Sequence, residues 1–269
     1  MSTGEINHAN NTAFDSCDDL STSLDEMISN VIRKPRRIIL VRHEQSLGNV
    51  DESTYTRIPD WKVPLTDHGI QNGENVTAKR VKDIIGDSSP VYFYASPYER
   101  TMQTCRLIMK EFKGKGCENN QLIGLREEPR LVEQQFGNFQ DEKVMKKAKA
   151  ERYKYGSFFY RFPNGESGLD VYNRAATFIN TLFRDFRNPR INYDPDYNLV
   201  IVTHGLTLRL FLMRWFQFGV REFEKTKNPC NGGIVVMNRQ SSPDNMRVWY
   251  EIDSESRARL NLPDHQERI

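Results

Sequence analysis

Basic residues able to hold and attack a phosphate group follow three apolar segments of this chain. Arg42 and His43 end the stretch "IILVRH", and His204 ends "NLVIVTH". Arg100 comes shortly after "VYFYAS". An arginine presents a planar guanidinium that matches phosphate oxygens, and a neutral histidine can attack phosphorus. Because the chain has only 5 histidines, two at such positions favour a site for a phosphate dianion.

The apolar segments themselves have the composition of strands that are buried on both faces. Residues 36–42, 91–96 and 198–204 are short and rich in Ile, Val and aromatic side chains. A stretch with helical spacing follows each segment, and Thr66 is placed to cap the first of these helices. The alternation predicts an α/β fold with a parallel sheet, in which ligands bind at the carboxyl ends of the strands.

The chain as a whole divides into one domain and two tails. Residues 35–252 form the predicted domain, with two further strands expected at 232–238 and 247–252. Residues 1–34 are rich in Ser, Thr, Asn and Asp, which predicts a disordered arm. Residues 253–269 are expected to form a polar tail.

Composition argues against several classes of function. The 38 basic and 36 acidic residues nearly cancel, so we expect no nucleic-acid binding. No run of about 18 apolar residues occurs, so no membrane span is expected. The cysteines show no CxxC spacing, which favours a reducing, cytoplasmic location over disulfides or a zinc site. Neither GxxxxGK(S/T) nor HExxH occurs, which argues against a nucleotide P-loop and a metal hydrolase.

Six segments resemble motifs of the histidine phosphatase superfamily, which is also called phosphoglycerate-mutase-like. They follow the family's order and cover most of the chain. Longer stretches such as "YTRIPDWKVPLT" and "YGSFFYRFPNGES" are similar to a eukaryotic subgroup that includes the plant AT74 type and a yeast acid phosphatase linked to sterol transport. The six segments are "LVRHEQSLGN", "PLTDHG", "ASPYERTMQT", "RLVEQQFGNFQ", "FPNGES" and "IVTHGLTLR".

This resemblance implies a role for each matching residue. His43 would be the nucleophile that becomes phosphohistidine. Arg42, Arg100 and His204 would complete the phosphate pocket and take part in catalysis. Glu133 would be the general acid that protonates the leaving oxygen, and later the base that activates water.

The resemblance also implies supporting residues and the architecture. Asn49 would hold a phosphate oxygen through its side-chain amide, and Ser46 would also line the pocket. The fold would be a single-domain, three-layer α/β/α structure with a mainly parallel sheet. No metal or organic cofactor is implied, and the partner would be a small phosphorylated substrate. From the residues alone, Glu127 and Glu128 compete with Glu133 for the role of the acid, and only the motif excludes them.

Two positions depart from the family pattern. Glu44 stands where the family has Gly directly after the nucleophile, and a carboxylate facing the phosphate would repel it by about 1–4 kcal/mol at 4 Å. Leu206 follows "HG", where glycolytic mutases usually carry Asn. An apolar residue at that position weakens the case for a mutase.

Three functions follow from this pattern. The favoured one is a phosphomonoester hydrolase that works through phosphohistidine, and the runner-up is a phosphoglycerate mutase. The third is a phosphate-binding protein that Glu44 has disabled. Specificity is expected to depend on the segments "YTRIPDWK" and "YGSFFYRFPN", in which Arg57 and Lys62 are interpreted as surface charges rather than substrate ligands.

Overall fold

The computed structural model describes five stretches of the chain. The predicted arm at 1–34 lies outside them, apart from Lys34. Among the residues described, no helix combines the length and apolar character needed to cross a bilayer. The described stretches are 34–113, 121–137, 141–187, 196–243 and 247–263.

Six strands form a single sheet: β1 Arg37–Arg42, β2 Val91–Ala95, β3 Leu122–Glu127, β4 Asn198–Thr203, β5 Ile234–Ser241 and β6 Val248–Ile252. Their order across the sheet is β3-β2-β4-β1-β5-β6. The first four of these are parallel to one another, β5 pairs with β1 in antiparallel orientation, and β6 pairs with β5 in antiparallel orientation. The predicted mainly parallel sheet is confirmed, whereas β3 was not predicted because this edge strand is partly exposed and contains Gly124.

Helices connect the strands and cover both faces of the sheet. In the described stretches, the helices are α1 Leu47–Val50, α2 Thr54–Arg57, α3 Asp67–Asn72, α4 Ala78–Ile85, α5 Glu99–Lys110, α6 Glu142–Tyr155, α7 Gly168–Asp185, α8 Gly205–Phe216, α9 Val220–Lys225 and α10 Ser254–Leu260. Thr66 caps α3 as predicted, with its hydroxyl accepting from the amide of Gly69 at 2.9 Å. A π-helical segment, Gly73–Thr77, joins α3 to α4.

The core consists of two apolar layers separated by the sheet. Side chains alternate along β1, so that Ile38 and Leu40 pack with α7 and α8 on one face. Ile39 and Val41 pack with α4 and α5 on the other face. The three-layer α/β/α architecture is therefore confirmed, and it leaves the carboxyl ends of the central strands free to carry polar residues.

The chain after β6 differs from the predicted polar tail. Asp253 caps α10 by accepting a hydrogen bond from the amide of Ser256 at 2.8 Å. Leu260 and Leu262 are buried in the same core cluster as α7 and α8. The segment is polar on average, so composition could not reveal that two leucines return to the core.

Truncating Leu260 tests whether this segment contributes to stability. We expect Leu260→Ala to lower the free energy of unfolding by about 2–5 kcal/mol, because it removes buried methyl groups and leaves a cavity. Urea unfolding measures the change. Glu255→Ala, an exposed position on the same helix, should stay within about 0.5 kcal/mol of wild type. Equal stability of the two variants would contradict the packing of α10.

Candidate active site

The register between β1 and β4 places two histidines side by side. Arg42 pairs with Thr203 across the two strands. The ladder continues one residue further, since the amide of His43 donates to the carbonyl of Thr203 at 2.9 Å. As a result, the rings of His43 and His204 lie edge to face with centroids 5.1 Å apart. Both side chains are buried, with 4% and 0% exposure.

The neighbouring strand β2 brings a third group to the same edge. The amide of Ser96 donates to the carbonyl of Val202 at 3.0 Å, which aligns the end of β2 with that of β4. The Ser96 hydroxyl is hydrogen-bonded to Nε2 of His204 at 2.9 Å. Arg100 follows in the first turn of α5 and is also buried. Sequence reasoning had not singled out Ser96, although it lies within the "ASPYERTMQT" motif.

The hydrogen bond of His43 determines which ring nitrogen can act as a nucleophile. Its Nδ1 lies 2.7 Å from the carbonyl oxygen of Glu44. A carbonyl only accepts, so Nδ1 carries the proton and Nε2 keeps its lone pair. Burial first, and then Arg100 and Arg42, lower the pKa of His43 well below 6.5. The imidazole is therefore neutral at physiological pH.

The second histidine is neutral for the same reasons. Burial and the positive charge of Arg100 lower the pKa of His204 well below 6.5. These surroundings favour a neutral imidazole for His204. Its Nδ1 is buried and has no hydrogen-bond partner within the described stretches.

Two arginines flank the histidines and are held by protein oxygens on one side. Nη1 of Arg42 donates to the carbonyl of Pro229 at 2.6 Å. Nη1 of Arg100 donates to the carbonyl and the carboxylate of Asp60, at 2.7 and 2.8 Å. In both arginines Nε is buried and finds no partner in the part of the chain that is described. Such donors are costly to bury, so they indicate an anion site.

Asn49 is oriented by its neighbours so that its amide nitrogen is free to donate. Its side-chain oxygen accepts from the amide and the hydroxyl of Ser46, both at 3.0 Å. The side chain of Asn231 donates to the same oxygen at 3.0 Å. Ser46 is fully buried, with its hydroxyl engaged by Asn49. Ser46 thus orients Asn49, which differs from the expectation that its side chain lines the pocket.

Glu133 lies at the amino end of α8, the helix that begins directly after His204. Its carboxylate accepts from the amides of Leu206 and Thr207, each at 3.3 Å, and from the Thr207 hydroxyl at 3.2 Å. The helix dipole favours a negative charge at this end. The side chain is only partly buried. Glu133 therefore sits at the border between the buried histidines and solvent.

The competing acids are placed elsewhere. Glu128 is buried and forms an ion pair with Arg130 at 2.6 Å. Glu127 ends β3 with its side chain exposed. Neither of these two carboxylates contacts the amino end of α8, where the carboxylate of Glu133 lies.

The side chain of Glu44 points away from the phosphate ligands. Its carboxylate accepts from Nδ2 of Asn72 at 3.1 Å and from the hydroxyl of Thr77. A side chain on Gly232, whose φ is +67°, would collide with this carboxylate. The backbone of Glu44 does not adopt a positive φ, so a non-glycine residue is not strained here. Glu44 is thus a buried structural carboxylate between β1 and the π-helical segment.

The remaining residues discussed from sequence also have defined places. Leu206 is buried in an apolar cluster with Val171 and Phe223, while its amide contacts Glu133. Arg57 forms an exposed ion pair with Asp51 at 2.8 Å, in agreement with its interpretation as a surface charge.

Comparison with known proteins identifies the family. The family model of the histidine phosphatase superfamily (branch 1) matches residues 38–252 of this chain. The chain therefore belongs to this superfamily. It is 47% identical over 210 residues to the phosphoglycerate mutase-like protein AT74 of Arabidopsis thaliana, across 76% of this chain and 65% of that relative. The chain thus spans less than two thirds of the length of AT74.

Two further similarities support the assignment. The broad-range acid phosphatase DET1 of Saccharomyces cerevisiae is 30% identical, across 78% of this chain and 87% of that relative. The structure of a mycobacterial glucosyl-3-phosphoglycerate phosphatase with inorganic phosphate has a TM-score of 0.58 at 18% identity, covering 81% of this chain and 95% of that one. The structural likeness shows a shared fold, and the predicted family and subgroup are confirmed.

Removing the Glu44 carboxylate tests its structural role. We expect Glu44→Ala to lower the free energy of unfolding by about 1–3 kcal/mol, since buried donors of Asn72 and Thr77 lose their acceptor. Phosphate affinity, measured by calorimetry, should change less than about threefold. Glu74→Ala, on the same helical segment but exposed, serves as the control. Tenfold tighter phosphate binding by Glu44→Ala would instead place the carboxylate beside the anion.

The neutral histidines predict a loss of stability in acid. Below pH 6.5 the unfolded chain takes up protons on both histidines while the folded chain does not. The contribution to the free energy of unfolding that is present above pH 6.5 is therefore lost as the pH falls. Two such groups cost about 2 kcal/mol between pH 6.5 and 5.5.

Urea unfolding at pH 6.5 and pH 5.5 measures how steeply the free energy of unfolding falls with pH. The double variant His43→Gln with His204→Gln should lose about 2 kcal/mol less than wild type over this interval. His68→Gln, an exposed histidine, should keep the wild-type slope. An unchanged slope in the double variant would show that the histidines are not held neutral.

Proposed function

We propose that this chain hydrolyses phosphomonoesters through a phosphohistidine formed on His43. The observation that carries the proposal is the neutral His43 together with the buried Nε of Arg42 and Arg100 and the buried Nδ1 of His204, none of which has a partner among the described residues. A phosphoryl group bound there would accept hydrogen bonds from these donors and from the free amide of Asn49. Positioning and charge compensation of this kind are the main requirements of phosphoryl transfer.

The first half of the reaction transfers the phosphoryl group to the protein. The Nε2 lone pair of His43 attacks phosphorus, and the bond from phosphorus to the ester oxygen breaks. The protonated carboxyl of Glu133 gives its proton to the departing oxygen, so the alcohol leaves neutral. The carbonyl of Glu44 holds the Nδ1 proton and keeps the ring oriented.

The second half returns the protein to its starting state. The Glu133 carboxylate takes a proton from water, and the resulting oxygen attacks phosphorus. The phosphorus–nitrogen bond breaks, inorganic phosphate leaves, and His43 is neutral again with its lone pair on Nε2. Dividing one displacement into two in this way is the advantage of a covalent intermediate.

Two observations favour hydrolysis over the alternatives. Leu206 contributes an apolar side chain to a buried cluster, so this position offers no polar group for holding a phospho-acid as a mutase does. The relative DET1 is named a broad-range acid phosphatase. The interpretation as a disabled phosphate-binding protein assumed that the Glu44 carboxylate repels phosphate. That carboxylate is instead engaged by Asn72 and Thr77.

We also propose that the protein is cytoplasmic and needs no metal ion. Cys105 and Cys230 are free thiols, which is compatible with a reducing compartment. Arg42 and Arg100 provide the positive charge that a divalent cation supplies in other phosphoryl-transfer sites. The substrate would be a small phosphorylated molecule.

Turnover of p-nitrophenyl phosphate, measured with EDTA present, tests this function. His43→Ala should lose activity to background, and Glu133→Gln should lower kcat by about 10²–10⁴-fold with an alkyl phosphate, whose oxygen needs a proton. Glu127→Gln is the matched control for Glu133 and should remain near wild type. Wild type quenched during turnover should carry acid-labile, base-stable phosphate, and His43→Ala should carry none.

Other outcomes would refute the proposal in separate ways. Activity that persists in His43→Ala would exclude the phosphohistidine. Activity that appears only in Glu44→Gly would support the disabled protein. Transfer of phosphate from a phospho-acid to a second acceptor acid, without release of inorganic phosphate, would favour the mutase.

A further inference from the structure

A cavity of about 460 Å³ opens beside the phosphate site. It lies between the 55–61 segment, the start of α5 and the loop that follows Glu133. Its volume is within the range of sites that enclose small organic ligands. Among the residues that line it are Tyr55, Pro59, Trp61, Tyr98, Phe136 and Met145.

The cavity adjoins the proposed site of chemistry through two of its lining residues. The ring of Tyr98 lies 5.1 Å from the ring of His204 and 4.9 Å from the guanidinium of Arg100. Asp60, which also lines the cavity, holds Arg100 through two hydrogen bonds. The cavity is thus next to the place where the phosphate of a substrate would bind.

The position of the proposed acid shows which part of the substrate the cavity receives. Residues 135–137 form part of its wall and follow directly after Glu133. The positive φ of Gly137 and its close approach to the carbonyl of Pro163 fix this wall. Because the acid must stand beside the departing oxygen, the cavity lies on the leaving-group side.

The aromatic rings in the lining favour a flat group over a second anion. Aromatic side chains present π faces and edges that stack on planar rings. The charged groups described in the lining already have partners, since Arg57 is paired with Asp51 and Asp60 with Arg100. Trp61 keeps 54% of its surface exposed, which is a large apolar area for a side chain with no role in the core.

We propose that this cavity binds an aromatic ring carried by the leaving group of the substrate. The natural substrate is then a phosphomonoester whose alcohol bears a planar ring within a few bonds of the ester oxygen. This inference rests on the proposed hydrolysis. Such a substrate differs from a small phospho-acid such as a phosphoglycerate, because the carboxylate of a phospho-acid would find no free cation among the described lining residues.

A pair of alkyl phosphates isolates the effect of the ring. The substrates 2-phenylethyl phosphate and ethyl phosphate both release primary alkyl alcohols, so the difference between them reports binding of the ring rather than leaving-group acidity. We expect wild type to show at least about tenfold higher kcat/KM for 2-phenylethyl phosphate, mainly through a lower KM. Trp61→Ala and Phe136→Ala should reduce this ratio about three- to tenfold each.

A matched control and an inhibition measurement guard against indirect effects. Trp249→Ala removes a comparably exposed tryptophan from β6, outside the cavity, and should keep the wild-type ratio. Competitive inhibition by 2-phenylethylphosphonate and ethylphosphonate should show the same preference in wild type without any chemical step. It also measures ring binding in variants that turn over slowly.

The outcomes separate this inference from the function on which it rests. No hydrolysis of either ester, nor of p-nitrophenyl phosphate, would refute the proposed function. Hydrolysis with equal kcat/KM for the two esters would refute the ring site alone. Faster turnover of 3-phosphoglycerate than of 2-phenylethyl phosphate would also overturn it, in favour of a second anion.

Discussion

The site depends on the backbone ladder between β1 and β4. One hydrogen bond beyond the last strand pair, from the amide of His43 to the carbonyl of Thr203, fixes the level of both histidines. A shift of that register by one residue would turn one ring to the opposite face of the sheet. The ladder is buried between two apolar layers. The least mobile part of the domain therefore sets the distance between His43 and His204.

Around this pair, each polar side chain is held through one atom, while another of its nitrogen atoms has no partner among the described residues. Arg42 and Arg100 are each fixed through Nη1, Asn49 through its oxygen and His204 through Nε2. Each restraint removes rotational freedom before any ligand arrives. An anion that enters therefore meets donors already oriented, which is the condition under which electrostatic stabilisation is most effective. The same arrangement keeps His43 neutral and able to act as a nucleophile.

Much of this could be predicted from the sequence, because the reactive residues follow strands at fixed intervals. Arg42, His43 and His204 are adjacent to strand ends, so the parallel sheet alone brings them together. Asp60 could not be found in this way, because it follows no strand and its contact with Arg100 joins residues 40 positions apart. The direction of the Glu44 side chain could not be predicted either, since it depends on partners supplied by a distant helical segment.

The elements that sequence reasoning missed share a physical cause. Strand β3 is at the sheet edge and half exposed, so its residues lack the continuous apolar character of the central strands. Helix α10 is polar over most of its length and contributes one leucine, Leu260, to the core, and Leu262 follows just after the helix. Pattern analysis detects contiguous or periodic apolar residues, and it fails where a few contacts suffice to hold a segment.

The hydrogen bonds from Arg100 to Asp60 have a consequence for turnover. A phosphate dianion in the pocket must share this guanidinium with a carboxylate, so the arginine attracts it less than an unpaired cation would. Under the proposed function, inorganic phosphate has to depart after every cycle, and tight product binding would slow the enzyme. Under that function, Asp60 would limit product inhibition, and it belongs to the same 55–61 segment that lines the cavity.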